Sequence, residues 1–222
     1  MQLPLYIEAI GLDMDYTFVN PWDYVFFVML DVLPECGFPV LDAKVFAQDS
    51  AKGAPFKKTS ESLYGSGAYE KINIAYQAVY KNHLRLLRQV PGAYGAIEEL
   101  KEMGFPVAIV ANKQSYSINE SLIACRMESM FPTEYRIGHS PSYSPKPSGG
   151  PVLEAARVMG KDVKKMIMVG DTALDMDAAI NAGATGVAVL TGHTPREKFE
   201  EYGDEILIIN SLAELPNYVR KI

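Results

Sequence analysis

The chain has 222 residues, 48% of them apolar, with 27 acidic and 21 basic side chains for a formal net charge of −6. That composition excludes a disordered tail, a collagen-like rod and a disulfide-rich miniprotein, and the acid excess argues against a chain that coats nucleic acid. Cys36 and Cys125 lack the number and spacing of a disulfide framework or a metal-ligand set and read as buried thiols in a reducing, cytoplasmic compartment.

The first dozen residues carry no Lys or Arg ahead of their apolar stretch, so no secretory signal is read there. Ile7–Leu12 predicts a first buried strand. The longest apolar run follows, Val25 to Leu30, far short of the ~20 residues that cross a bilayer. It lies in a predicted helix, Tyr24 to Leu33. A second, long helix is predicted from Ile72, Ala75, Tyr76, Val79, His83, Leu86 and Leu87 on one face, with His83 a partly buried helix residue and not a ligand. From Asn20 to Val90 no strand is predicted, so the stretch reads as a helical insertion that rejoins the main domain at Pro91-Gly92.

Beyond it, strands and helices alternate. Tyr94, Ile97, Leu100 and Met103 recur at helical spacing ahead of Gly104, and Phe105–Val110 is the next strand. Tyr135–Gly138 is a less apolar strand candidate. Pro151 opens a helix closed by Gly160, and Met166–Val169 is a strand. A helix from about Asp175 to Ala182 stops at Gly183, followed by strands at Val187–Leu190 and Ile206–Ile209. Continuously apolar strands alternating with helices predict an α/β fold, a doubly wound parallel sheet with a Rossmann-like core. The expected domains are 1–19 with 91–222 for the core and 20–90 for the inserted helical domain.

In such a sheet, ligands bind beyond the carboxyl ends of the strands. Asp13 and Asp15 follow the first strand, Ala111-Asn112-Lys113 the second, Asp171 and Asp175 the strand at 166–169, and Lys146 sits between prolines ahead of the Pro151 helix. Each acid has a plain alternative as a turn residue or a helix cap. That alternative does not explain acids at two strand ends with a lysine on the same edge. Gathered carboxylates repel one another, and a site that keeps them ionised needs a cation; oxygen-only ligands suit Mg²⁺, which bridges readily to phosphate.

Asp13-Met-Asp-Tyr-Thr17, Lys146, and Gly170-Asp171-Thr-Ala-Leu-Asp175 with Asn181-Ala-Gly-Ala resemble the motifs of the haloacid dehalogenase superfamily of phosphohydrolases. The likeness covers nearly the whole chain, and the helical insertion is similar to the family's cap. Lys146-Pro, the Asp171 region and Leu190-Thr-Gly-His193 look most like phosphoglycolate phosphatase-type members. The resemblance implies Asp13 as nucleophile and Asp15 as the acid and base for leaving group and water. It further implies Mg²⁺ held by Asp13, the main-chain carbonyl of Asp15 and Asp171, with Lys146 on the phosphoryl oxygens. Asp175 would orient metal waters or Lys146, and Thr17 and Asn112 would join substrate binding. The second acid, Asp15, separates a phosphate-ester chemistry from dehalogenation, because halide leaves without a proton. The expected substrate is a small phosphorylated metabolite, with neither nucleic acid nor membrane as partner, and oligomeric state carries no sequence signal.

Two positions depart from the family pattern. Ala111 stands where a Ser or Thr hydroxyl binds phosphate, a loss of roughly 1.5–3 kcal/mol for a bond to a charged group. Tyr16 stands where a small residue is usual and reads as packing at the cap entrance; Asp-Met-Asp-Tyr-Thr also resembles cytosolic 5′-nucleotidases. A sugar phosphomutase, or a weakly active phosphate-ester-binding protein because of Ala111, are the other readings. Finally, residues 43–90 hold eight Lys or Arg against three acids, a local charge of +5 that leaves −11 elsewhere. Lys57 and Lys58, in an expected loop around Gly53, Ala54 and Pro55, are the candidates to hold an anionic substrate.

Overall fold

The six predicted strands come together as one parallel sheet in the computed structural model, which describes residues 6–219. The chain runs β1 (Ala9–Leu12), β2 (Val19–Asn20), α1 (Trp22–Glu35), α2 (Ala43–Ala51), α3 (Phe56–Tyr64), α4 (Ala68–Val79), a 3-10 helix over Tyr80–Leu86, and β3 (Arg88–Gln89). It continues as α5 (Ala93–Glu102), β4 (Val107–Val110), α6 (Ser115–Ala124), β5 (Arg136–Ile137), α7 (Gly150–Met159) and β6 (Met166–Gly170). The last elements are α8 (Ala173–Ala182), β7 (Thr185–Val189), α9 (Arg196–Glu200), β8 (Ile206–Ile209) and α10 (Leu215–Tyr218). Two units result: Asn20–Arg88, and the residues on either side of that segment. No described helix is long and apolar enough to cross a membrane.

The sheet of the first unit has the order β5-β4-β1-β6-β7-β8, so the chain winds outward in both directions from β1. Ile10 lies opposite Val107 on one side and Ile167 on the other, and every pairing is parallel. One face is sealed by α7 and α8: Val152, Ala155, Ala156 and Met159 with Ala178, Ala179 and Ala182 pack over Ala9, Ala108, Val110, Met166 and Met168. Alanines on these helices allow a close approach. Gly11 does the same from the strand, since a Cβ there would stand 2.6 Å from Met166 Cε and 3.2 Å from Val110 Cγ2. Ile10 and Leu12 alternate to the opposite face and are also fully buried, so both faces are covered.

The second unit is helical. α1 buries Tyr24, Val28, Met29, Val32 and Leu33, and α2 buries Ala43, Phe46, Ala47 and Ala51, both at helical spacing. Phe38 stacks on Tyr64 at 3.8 Å between ring centroids, and the Tyr64 hydroxyl donates to Asp42 at 2.7 Å. The long helix expected through Leu87 ends at Val79 and tightens into the 3-10 helix. Over two turns, an apolar spacing does not separate 3.6 from 3.0 residues per turn. His83 is largely buried and pairs with Asp31 at 2.7 Å.

One expectation about charge is corrected here, and another is set in the context of the whole unit. Lys57 and Lys58 lie on α3 and not in a loop; both are exposed, and Lys57 faces Glu61 one turn on at 3.7 Å. The +5 of residues 43–90 stands, but over the whole unit Asn20–Arg88 the same eight Lys and Arg meet seven acids, because Asp23, Asp31, Glu35 and Asp42 precede residue 43, so the unit carries +1. Asp31, Asp42 and Asp49 each have a partner within the unit: His83, Tyr64 and Thr59. The basic asymmetry is therefore a property of where the segment is cut.

Candidate active site

Because β4, β1 and β6 are adjacent and in register at Leu12 with Ile109 and Val169, the residues after them emerge side by side. Asp13 extends the ladder by donating its N–H to Val169 O at 2.8 Å, and Ala111 donates to Ile137 O at 2.9 Å. Asp13, Ala111 and Asp171 thus stand at neighbouring strand ends.

Lys146 reaches this edge from the loop between β5 and α7, and its backbone is clamped there. Its N–H donates to Asn112 Oδ1 and its carbonyl accepts from Asn112 Nδ2, both at 2.9 Å. Asn181 Nδ2 holds the next carbonyl, that of Pro147, at 2.9 Å. The buried ammonium then donates to Asp13 Oδ1 at 2.5 Å, Asp175 Oδ1 at 2.6 Å and Val110 O at 2.8 Å. Those three bonds account for all its protons.

Asp175 is also fixed from the other side. As the third residue of α8 it accepts from Thr172 N at 3.0 Å and Thr172 Oγ1 at 2.7 Å on Oδ2, closing a capping box. Gly170 makes room for it, since a Cβ there would be 2.2 Å from Asp175 Cγ.

Asp171 is different. It is 2% exposed, and its Oδ2 has no hydrogen-bond partner among the described residues. The backbone of Gly192 closes over it, with a Cβ position 2.0 Å from that same oxygen. Carboxylate oxygens of Asp13, Asp171 and Asp175 all lie within 4.8 Å of one another.

One ammonium does not balance three carboxylates. Burial, with Asp175 and Asp15 nearby, pushes Asp13 up to about 7 although Lys146 opposes the shift. Burial and the charges of Asp13 and Asp175 raise Asp171 well above the carboxylate range. Lys146 moves the other way from what its burial favours: Asp13 and Asp175 outweigh desolvation and hold the proton on it. Since both Asp175 oxygens are committed to hydrogen bonds, Asp13 and Asp171 remain as the oxygen donors for a hard divalent cation. The orphaned Oδ2 of Asp171 fits such a cation and has no other use among the described residues.

Asp15 lies outside this cluster. Its carboxylate Oδ1 receives Lys113 Nζ at 2.7 Å, with side chains 32% and 21% exposed respectively. Its backbone sits in a tight turn: Met14 O accepts from both Phe18 N and Val19 N, and Asp15 bridges to Val19. Tyr16, in the middle of that turn, has φ +59°. A non-glycine residue there carries backbone strain, and the buried Tyr16 hydroxyl has no hydrogen-bond partner among the described residues. Its carbonyl accepts from Thr191 Oγ1 at 2.6 Å, and its buried ring meets His193 edge-on at 5.5 Å.

The remaining expected site residues fall apart by position. Asn112 spends its Oδ1 and one Nδ2 proton on the Lys146 backbone, so that side chain clamps the loop that carries the ammonium. Thr17 is fully buried and presents no surface to a ligand in solvent. Lys57 and Lys58 belong to the helical unit. Lys113 is the residue that the sequence places at this edge without a partner; the direction a side chain takes from a loop is not carried by spacing.

Residues 10–189 match a family model described as haloacid dehalogenase-like hydrolase. The chain is 28% identical to phosphoglycolate phosphatase of Neisseria meningitidis, covering 96% of this chain and 89% of that protein. It is 24% identical to pyrophosphatase PpaX of Bacillus cereus, covering 95% of each. A hydrolase of the haloacid dehalogenase-like family from Streptococcus pneumoniae has the same fold, with a TM-score of 0.82 at 20% identity over 96% of this chain and 98% of that one.

Proposed function

The chain belongs to the haloacid dehalogenase-like hydrolase family, and on that premise we propose that it is a Mg²⁺-dependent phosphatase acting on a small anionic phosphate monoester through an aspartyl-phosphate. The observation that carries this reading is the division of labour among the carboxylates. Asp175 is consumed in holding Lys146, while Asp13 and the orphaned Asp171 face each other with charge unbalanced.

In the first step a carboxylate oxygen of Asp13 forms a bond to phosphorus as the ester P–O bond breaks, and Asp15 gives its proton to the departing alkoxide. In the second, Asp15 takes a proton from water, whose oxygen attacks phosphorus and releases inorganic phosphate with Asp13 restored. Lys146 supplies positive charge to the phosphoryl oxygens as they accumulate negative charge, and Asp175 keeps that ammonium in place. Asp13 and Asp171 with the main-chain carbonyl of Asp15 would hold Mg²⁺, whose charge shields the nucleophile from a dianionic phosphate.

The substrate class is a short phosphate ester with a second anionic group; the phosphoglycolate phosphatase and the pyrophosphatase among its relatives support small, highly charged substrates. The helical segment 20–90 acts as the family's cap and selects among them, and the enzyme works in the cytoplasm. Mg²⁺-dependent release of phosphate from phosphoglycolate and from 4-nitrophenyl phosphate tests the reading. Both activities are expected in the full chain and neither in Asp13→Asn; release that survives Asp13→Asn would overturn it.

A further inference from the structure

The pair formed by Lys113 and Asp15 has no part in the three-carboxylate cluster, and its geometry is well defined at both ends. Lys113 Nζ donates to Asp15 Oδ1 at 2.7 Å. Among the described residues no other donor reaches that carboxylate. Lys146, the other cation of this edge, has its three protons on Asp13, Asp175 and Val110.

The lysine is built in from its backbone outward. Its carbonyl accepts from His139 N at 2.7 Å, and Gly138 permits that approach because a Cβ there would be 2.6 Å from the same carbonyl oxygen. Asp15 is fixed by its bridge to Val19. Two anchored backbones therefore bring a mostly covered ammonium to one oxygen of a mostly covered carboxylate. Solvent reaches both side chains and screens the pair, so it contributes less to folding than the enclosed pairs of Lys146.

Resting on the phosphatase reading above, we propose that Lys113 is a positioning residue for Asp15: by holding Oδ1 it leaves Oδ2 as the oxygen that hands the proton to the leaving group and later takes one from water. In the acid form the proton sits on Oδ2 and Oδ1 is the carbonyl-type oxygen that accepts from the ammonium. When the proton passes to the alkoxide, both oxygens share the charge and the same Lys113 bond persists. Without the lysine the carboxyl group rotates, and each turnover begins with the proton on either oxygen. The gain is orientational, the kind that raises a rate without tightening substrate binding.

Loss of Lys113 should therefore hurt an ester only as far as its leaving group needs a proton. The test compares wild type, Lys113→Met and Lys113→Arg, full length and with Mg²⁺, in single turnovers that read leaving-group release. Phosphoglycolate releases an alkoxide that needs protonation, and 4-nitrophenyl phosphate releases a phenolate that does not. In Lys113→Met, release of glycolate should fall about tenfold or more and release of nitrophenolate less than about threefold, within the ~10²–10⁴ that general acid catalysis supplies. KM should stay within about twofold, Lys113→Arg should recover most of the rate, and the thermal midpoint should move by less than ~4 °C. In an Asp15→Asn background, Lys113→Met should change neither release further. Equal losses for both leaving groups, or a loss that persists with Asp15→Asn, would overturn the inference while the phosphatase reading stands. A wild-type protein that hydrolyses neither ester with Mg²⁺ would overturn the phosphatase reading, and this inference with it.

Discussion

Asp175 divides its carboxylate between Lys146 and the start of α8: one oxygen takes the ammonium at 2.6 Å, the other takes the backbone N–H and hydroxyl of Thr172 at 3.0 and 2.7 Å. A single side chain thus ties the cation of the site to the helix that follows β6. The link explains why a carboxylate one turn beyond Asp171 is almost wholly buried without being available to a metal.

Asp175→Ala removes both ends of that link. It leaves a buried ammonium with one counter-ion and strips the cap from α8, so a loss of ~3–5 kcal/mol is expected, most of it from the broken buried pair. Urea unfolding of Asp175→Ala against wild type measures it. Asp175→Asn retains an oxygen for the cap and should lie between the two. A loss below ~1 kcal/mol in the alanine variant would mean that Lys146 does not depend on Asp175.

Stability should depend on pH in a direction opposite to that of an ordinary salt-bridged carboxylate. Asp13 is raised from 3.8 to about 7 by burial and by the carboxylates around it. Its neutral form is favoured in the folded state, so its contribution is fully present below pH ~4 and is lost as pH rises towards 7. The cost of ionising it amounts to ~4 kcal/mol above pH 7, and Asp171, shifted in the same direction, adds to it. With a chelator present, the urea midpoint should fall between pH 4 and 7. Asp13→Asn should flatten that fall, and added Mg²⁺ should restore the midpoint at pH 7 and above, because binding favours the ionised pair. A chelated protein whose midpoint rises across this range would contradict the electrostatics described for the site.

The sheet was legible because each of its longer strands carries a continuous apolar run, and a parallel sheet buried on both faces leaves that mark in the chain. The acids and Lys146 were legible for a related reason, since they follow those strands directly. α3 was not, because it buries Thr59 and Ser60 in place of an apolar stripe, and these satisfy their hydroxyls on Asp49 and on the Phe56 carbonyl. Spacing brought Asn112 and Lys113 to this edge but did not name their partners. Neighbours in sequence, they address different partners, one the Lys146 backbone and the other Asp15, and only the loop's path decides which is which.

Ala111 directly follows β4, has 3% of its surface exposed and brings no hydroxyl to the edge. If that missing hydroxyl limits catalysis, Ala111→Ser should raise kcat/KM by about tenfold to a hundredfold, the equivalent of one hydrogen bond to a charged phosphoryl oxygen. Ala111→Thr should gain less, since its extra methyl enters a buried position. Steady-state kinetics with 4-nitrophenyl phosphate decide the matter, and an unchanged or lower rate in both variants would show that the gap is already filled by another donor.

Asn112→Ala separates two roles for one side chain. As a clamp, Asn112 makes two 2.9 Å hydrogen bonds to the backbone of Lys146, and their removal frees the loop that carries the ammonium. The expected result is a stability loss of ~1–3 kcal/mol together with a lower kcat, because Lys146 no longer meets the transition state in one fixed place. KM should change little. A substrate ligand would behave in the reverse manner, with KM raised and the unfolding midpoint unmoved. Asn112→Asp sharpens the comparison, since it keeps the acceptor for Lys146 N–H and loses the donor to the Lys146 carbonyl. It should retain about half of the stabilisation if the clamp is the role, while the added charge would repel a phosphate if contact with substrate were the role. Thermal unfolding and steady-state kinetics on the two variants therefore give opposite patterns, and a raised KM with intact stability in Asn112→Ala would return this residue to the substrate.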